Sequence, residues 1–124
     1  MSMNRNDLVK QMQEAATMLL KEKGYISFQD ILMRMGKLTR ENHEAWRRGG
    51  VRCLEEVITV NLAKINHLLR ALQQHARTSG LRPSRTVYVS WGKGPKRPLR
   101  FSKSGDINIE EAYATRYLKP KEDE

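Results

Sequence analysis

Apolar positions recur every three or four residues over the first two-thirds of the chain, then fall to strict alternation. Leu8, Met12, Ala15, Ala16, Leu19 and Leu20 share one helical face, which predicts a helix from about Asp7 to Lys23. Asn6 suits its N-cap, Lys21 and Lys23 its last turn, and Gly24 its left-handed stop. Ser27 and Asp30 have capping-box spacing, and Ile26 with Ile31 forms a hydrophobic staple, so a second helix runs on to Gly36. A third begins after Thr39 and ends near Arg48 at Gly49-Gly50, with Ala45 and Trp46 as its packing groups. The stripe Leu54, Val57, Ile58, Leu62, Ile65, Leu68, Leu69, Leu72 and Ala76 predicts one long helix from about Val51 to Thr78.

Beyond Gly80 and Pro83 the period drops to two. Val87, Val89 and Trp91 alternate with Tyr88 and Ser90, and Leu99 and Phe101 flank Arg100. Gly92, Lys93, Gly94, Pro95, Lys96 and Arg97 lie between, which predicts a β-hairpin over 86–102 with a basic tip. Val87, Val89, Trp91 and Phe101 are expected on its core face and Tyr88 with Arg100 on the other. A last helix is expected from about Ile109 to Leu118, capped by Asn108. The order is α-α-α-α-β-β-α: a mainly α domain over 1–119 with a small hairpin, followed by a flexible tail at 120–124. The second and third helices have the lengths of a helix-turn-helix, and the hairpin could serve as the wing of a variant winged-helix domain.

Charge changes this picture most. The chain of 124 residues has 23 Lys and Arg against 14 Asp and Glu, a net +9. The excess is concentrated in residues 77–103, which hold eight basic side chains and no carboxylate. Arg77, Arg82, Arg85, Lys93, Lys96, Arg97, Arg100 and Lys103 therefore form the candidate contact set for a polyanion. Phosphate contacts gain from counterion release, and an interspersed carboxylate would oppose them. Arg40, Asn42, Arg47 and Arg48 on the third helix are candidates for reading base edges or holding phosphates. Ser102, Lys103, Ser104 and Gly105 offer a smaller phosphate cup, without the spacing of a nucleotide-binding P-loop. Against each stands the plain structural alternative of a solvated basic surface, a helical corner or a polar turn.

These features favour a small nucleic-acid-binding protein, a DNA-associated regulator or accessory factor, with DNA ahead of RNA. The alternatives are RNA binding and a protein–protein adaptor that grips an acidic partner. No cofactor, metal site or catalytic residue is assigned, since no zinc-binding, nucleophile-elbow or dinucleotide motif occurs. Asp106, Glu110 and Glu111 would need to approach His43 or His75 to build a nuclease-like metal site. The single cysteine, Cys53, excludes an internal disulfide, and its place at a helix start would lower its pKa. No secretory signal or apolar run long enough to span a membrane is seen, so a cytoplasmic protein is expected. The length of the predicted 51–78 helix leaves apolar surface to cover, which motivates a homodimer through that helix.

Overall fold

The computed structural model describes residues 5–92 and 94–120. Lys93 at the predicted hairpin tip, and residues 121–124 of the predicted tail, lie outside the described residues. The order is α1 (Arg5–Lys23), β1 (Tyr25–Ile26), α2 (Phe28–Arg34), α3 (Arg40–Arg47), a 3-10 turn (Leu54–Val57), α4 (Leu62–Thr78), β2 (Arg82–Arg85), α5 (Ile107–Ala114) and β3 (Thr115–Leu118). It is a mostly α-helical domain with a small three-stranded antiparallel sheet in the order β1-β3-β2.

α1 forms as its periodicity demands and buries Leu8, Met12, Ala15, Ala16 and Leu19. That face packs on α4, which buries Ile65, Leu68, Leu69, Leu72 and Ala76. Burying one such large side chain is worth about 1.5–3 kcal/mol, so this helix pair is a main source of stability. Gly24 turns α1 into β1 at φ +82°, a left-handed conformation that glycine adopts without strain. The Ser27 and Thr39 hydroxyls cap α2 and α3 by accepting from the N–H groups of Asp30 and Asn42.

The single helix expected over 51–78 does not form. Cys53 is extended, Leu54–Val57 makes one 3-10 turn, and Ile58 is extended again. Two features break it. The N–H groups of Leu54 and Glu55 donate to the carbonyls of Arg100 (3.1 Å) and Phe101 (2.9 Å), which ties this segment to a distant loop. Ile58, Thr59 and Val60 are consecutive β-branched residues, and the Thr59 N–H and hydroxyl both donate to the Lys37 carbonyl. Asn61 then starts α4 by accepting from the Lys64 N–H at 2.9 Å. The stripe that suggested a homodimer is thus divided, and its α4 part is buried within one chain except for Leu62, which is exposed.

The hairpin is also revised. Among the described residues between β2 and α5 only one bridge forms, Val89 with Pro98. Two backbone bonds accompany it, Ser90 N–H to Arg97 O (2.9 Å) and Leu99 N–H to Tyr88 O (2.8 Å). The faces of residues 87–91 are reversed, with Tyr88 and Ser90 buried while Val87 is 73% and Trp91 46% exposed, whereas Phe101 is buried and Arg100 exposed as expected. Tyr88 takes the inner place because its ring meets Trp46 and Phe101 and its hydroxyl accepts from Arg116 Nε at 3.2 Å.

The last helix stops at Ala114, and Thr115–Leu118 becomes the central strand. Both β1 and β2 need a partner there, and Tyr117 stands opposite Ile26 on one side and Pro83 on the other. Asp106, rather than Asn108, caps α5 by accepting from the N–H groups of Asn108 and Ile109.

Candidate nucleic-acid interface

The described residues of 86–106 form an arm with almost no strand pairing, yet they are firmly anchored. Trp46, fully buried on α3, stacks obliquely on Phe101 at 4.9 Å, and its Nε1–H donates to the Arg100 carbonyl at 2.7 Å. Phe101 stacks on Tyr113 of α5 at 5.2 Å, and Tyr113 meets Phe28 of α2 edge-on at 5.4 Å. The arm is thereby fixed through aromatic contacts to α3 and α5, and α5 in turn to α2.

Two carboxylates complete the anchorage. Glu110 accepts from the N–H groups of Phe101 (2.9 Å) and Ser102 (2.6 Å) and from the Ser102 hydroxyl. Glu55, itself buried, accepts from the Lys103 N–H (2.7 Å) and the Tyr113 hydroxyl (2.8 Å). Burial, reinforced by the adjacent Glu55 carboxylate, drives the Tyr113 hydroxyl pKa far above its ordinary value, so Tyr113 remains a donor. These bonds overturn the phosphate-cup reading of Ser102–Gly105. The N–H groups of Ser102 and Lys103 belong to internal carboxylates, and those of Gly105 and Asp106 go to the Ser102 and Ser104 hydroxyls. Gly105 also leaves room for the Arg100 side chain, since a Cβ there would lie 2.9 Å from Arg100 Nη2.

With the arm so held, an open cleft of roughly 370 Å³ lies between the end of α3 and the arm. Gly49, Gly50 and Arg52 line one side, and Ser90, Arg97 and Arg100 the other. A smaller recess of roughly 140 Å³ shares Arg52 and Arg100 and adds Cys53, Glu56 and Lys103. Together they form one groove, along which the described residues place four cations. Their availability differs. Arg52 is 91% exposed and pairs with Glu56 at 2.8 Å. Arg100 spends two donors on the carbonyls of Ser102 and Lys103. Arg97 and Lys103 are exposed.

One residue beyond Ser90 the arm is pinned to α3, where the Trp91 N–H donates to the Arg47 carbonyl at 2.7 Å. The Arg47 guanidinium lies 4.7 Å from the Trp91 ring centre and 5.3 Å from that of Tyr88. Burial lowers the pKa of Arg47, and its buried Nε has no hydrogen-bond partner among the described residues. His43 meets Trp91 edge-on at 6.2 Å, and burial lowers its pKa below the usual imidazole value.

The remaining sequence candidates are scattered. Arg40 is exposed at the first residue of α3, and Asn42 is half-buried with its N–H on the Thr39 hydroxyl. Arg48 is exposed at the end of α3. Lys96 closes the arm's tip by donating to the Gly92 carbonyl at 2.9 Å. Arg77, Arg82 and Arg85 lie at the end of α4 and on β2; Arg82 donates to the Lys119 carbonyl, and Arg85 pairs with Glu111 at 2.7 Å.

Glu110 and Glu111 are thus engaged elsewhere than in a metal site. Among the described residues no group of three or more His, Cys, Asp or Glu is placed to hold a metal ion. Cys53 also differs from expectation: it is buried off any long helix, and burial raises its pKa. No helix among the described residues is long and apolar enough to cross a membrane. Sequence reasoning missed Arg52, the exposure of Trp91 and the anchoring of the arm by Glu55 and Glu110. No protein-family model, curated protein or solved structure matches the chain.

Proposed function

We propose that the protein binds nucleic acid, with DNA as the favoured partner, through the basic groove between the end of α3 and the arm. The observation that carries this reading is the convergence of Arg52, Arg97, Arg100 and Lys103 on one open groove, three of them from a carboxylate-free stretch of sequence. Among the described residues Glu56 is the one acidic side chain lining it. Such a groove tracks a phosphate backbone and releases its counterions.

The connectivity lends support to a variant winged-helix reading. α1, β1, α2 and α3 are followed by β2 and β3, with β3 between β1 and β2. In this reading α4 is an insertion before β2, and the described residues of 86–114 form an enlarged wing that folds back on α3. The wing, more than α3, then carries the contacts, because α3 presents Glu41 and Glu44 beside Arg40. Titration of labelled duplex DNA, single-stranded DNA and structured RNA at low and high salt tests the proposal. Binding that weakens steeply with salt is expected. Absence of binding to all three at low salt refutes it, and co-purification with an acidic protein instead favours the adaptor reading.

A further inference from the structure

We propose that Trp91 is a stacking platform for an unpaired nucleobase, so that the groove's ligand is a single strand rather than a duplex. This rests on the nucleic-acid reading of the same groove. The buried rings of Trp46, Tyr88, Phe101 and Tyr113 form the internal aromatic cluster, whereas Trp91 on the same arm is 46% exposed. It is nevertheless held in place. Its backbone is fixed by the Arg47 carbonyl, its ring lies over the Arg47 guanidinium, and His43 abuts it edge-on. An indole immobilised in this way loses little freedom when a second flat group is laid on it.

Trp91 is not itself a lining residue of the groove but stands one residue beyond its edge. Ser90, next in the chain to Trp91, lines the groove with Arg97 and Arg100. A strand whose phosphates follow those cations would bring a base to the indole. Every base has a π-face, so the contact tolerates sequence. Within a duplex the bases are already stacked on one another, and only a terminal pair offers a face to the ring.

The test compares three probes with the full chain at one salt concentration: a short oligo-dT, an abasic deoxyribose-phosphate oligomer of the same length, and a blunt duplex. Oligo-dT should bind about tenfold tighter than the abasic oligomer, in line with the worth of one stacked base. Trp91→Ala should reduce oligo-dT to the abasic level with an unchanged salt slope, and Trp91→Phe should retain most of the preference. Equal binding of oligo-dT and the abasic oligomer by the wild-type chain overturns the stacking role, as does a Trp91→Ala variant that keeps the preference. A duplex bound as tightly as oligo-dT overturns the single-strand assignment while leaving the groove's function standing. Failure of every probe to bind removes both. The wild-type comparison of probes does not depend on how any variant folds.

Discussion

The helical half and the arm are held by different physics. α1 and α4 meet through Leu, Ile, Met and Ala side chains, with the backbone donors beyond each first turn satisfied inside the helix. The described residues of 86–106 form a single bridge, and their order comes from Trp46, Phe101 and Tyr113 and from the carboxylates of Glu55 and Glu110. Aliphatic packing is non-directional and tolerates repacking, whereas the arm depends on individual directed bonds. A surface built the second way is presented rigidly without a sheet beneath it, which suits a binding groove. Two acidic residues, Glu55 and Glu110, are here the means by which a basic surface is displayed.

Breaking the aromatic anchor should have the largest effect. Trp46→Ala removes a fully buried indole and its bond to the Arg100 carbonyl, and should cost about 3–5 kcal/mol in urea denaturation. Leu72→Ala in the helical half should fall in the range of about 2–5 kcal/mol, but without faster amide exchange in the arm. Parallel loss of arm protection in both variants would erase the distinction between the halves.

The carboxylate anchors come next. Glu110→Ala leaves the N–H groups of Phe101 and Ser102 without their acceptor and should cost about 1–3 kcal/mol. Amides of 101–103 should exchange faster while those of α1 and α4 keep their protection. The pH dependence should be smaller. Burial lowers the His43 pKa from 6.5, so the folded state favours the neutral ring. Its contribution is fully present above pH 6.5 and is lost as the pH falls toward the folded-state value, because the unfolded chain takes up the proton first. Melting temperature should therefore fall between about pH 7.5 and 5.5, and His43→Gln should flatten that part of the profile. Smallest of all, Arg52→Ala breaks an exposed ion pair and should alter stability by less than about 1 kcal/mol while still weakening nucleic-acid binding.

Much of the helical half was legible in the sequence. The α1 stripe, the Ser27 and Thr39 caps and the glycine stops act locally, and local chemistry decides them. The errors fall where distant residues compete for the same backbone. Residues 51–61 keep a helical apolar rhythm, but the carbonyls of Arg100, Phe101 and Lys37 take three of their N–H groups. Thr115–Leu118 continues a helical pattern, yet strands on both sides recruit it. Alternation at 87–91 is real but has the opposite phase to the one expected, because a tyrosine with a hydroxyl partner displaces valine and tryptophan from the inner face. For the site, the carboxylate-free stretch located Arg97, Arg100 and Lys103 directly. Arg52 joins them only through folding, and Glu110, whose sequence position suits a helix cap, acts across the turn on the arm.

On the proposed reading the groove, and not the second basic group on α4 and β2, carries binding. The most direct measurement is the salt dependence of affinity for single-stranded DNA in two double variants. Arg97→Gln with Lys103→Gln removes two groove cations and should weaken binding while reducing the slope of log K against log salt by about 1–2. Arg82→Gln with Arg85→Gln removes two cations from β2 and should leave both affinity and slope near wild type. The reverse pattern, with the β2 variant losing the slope and the groove variant keeping it, would move the binding surface to β2.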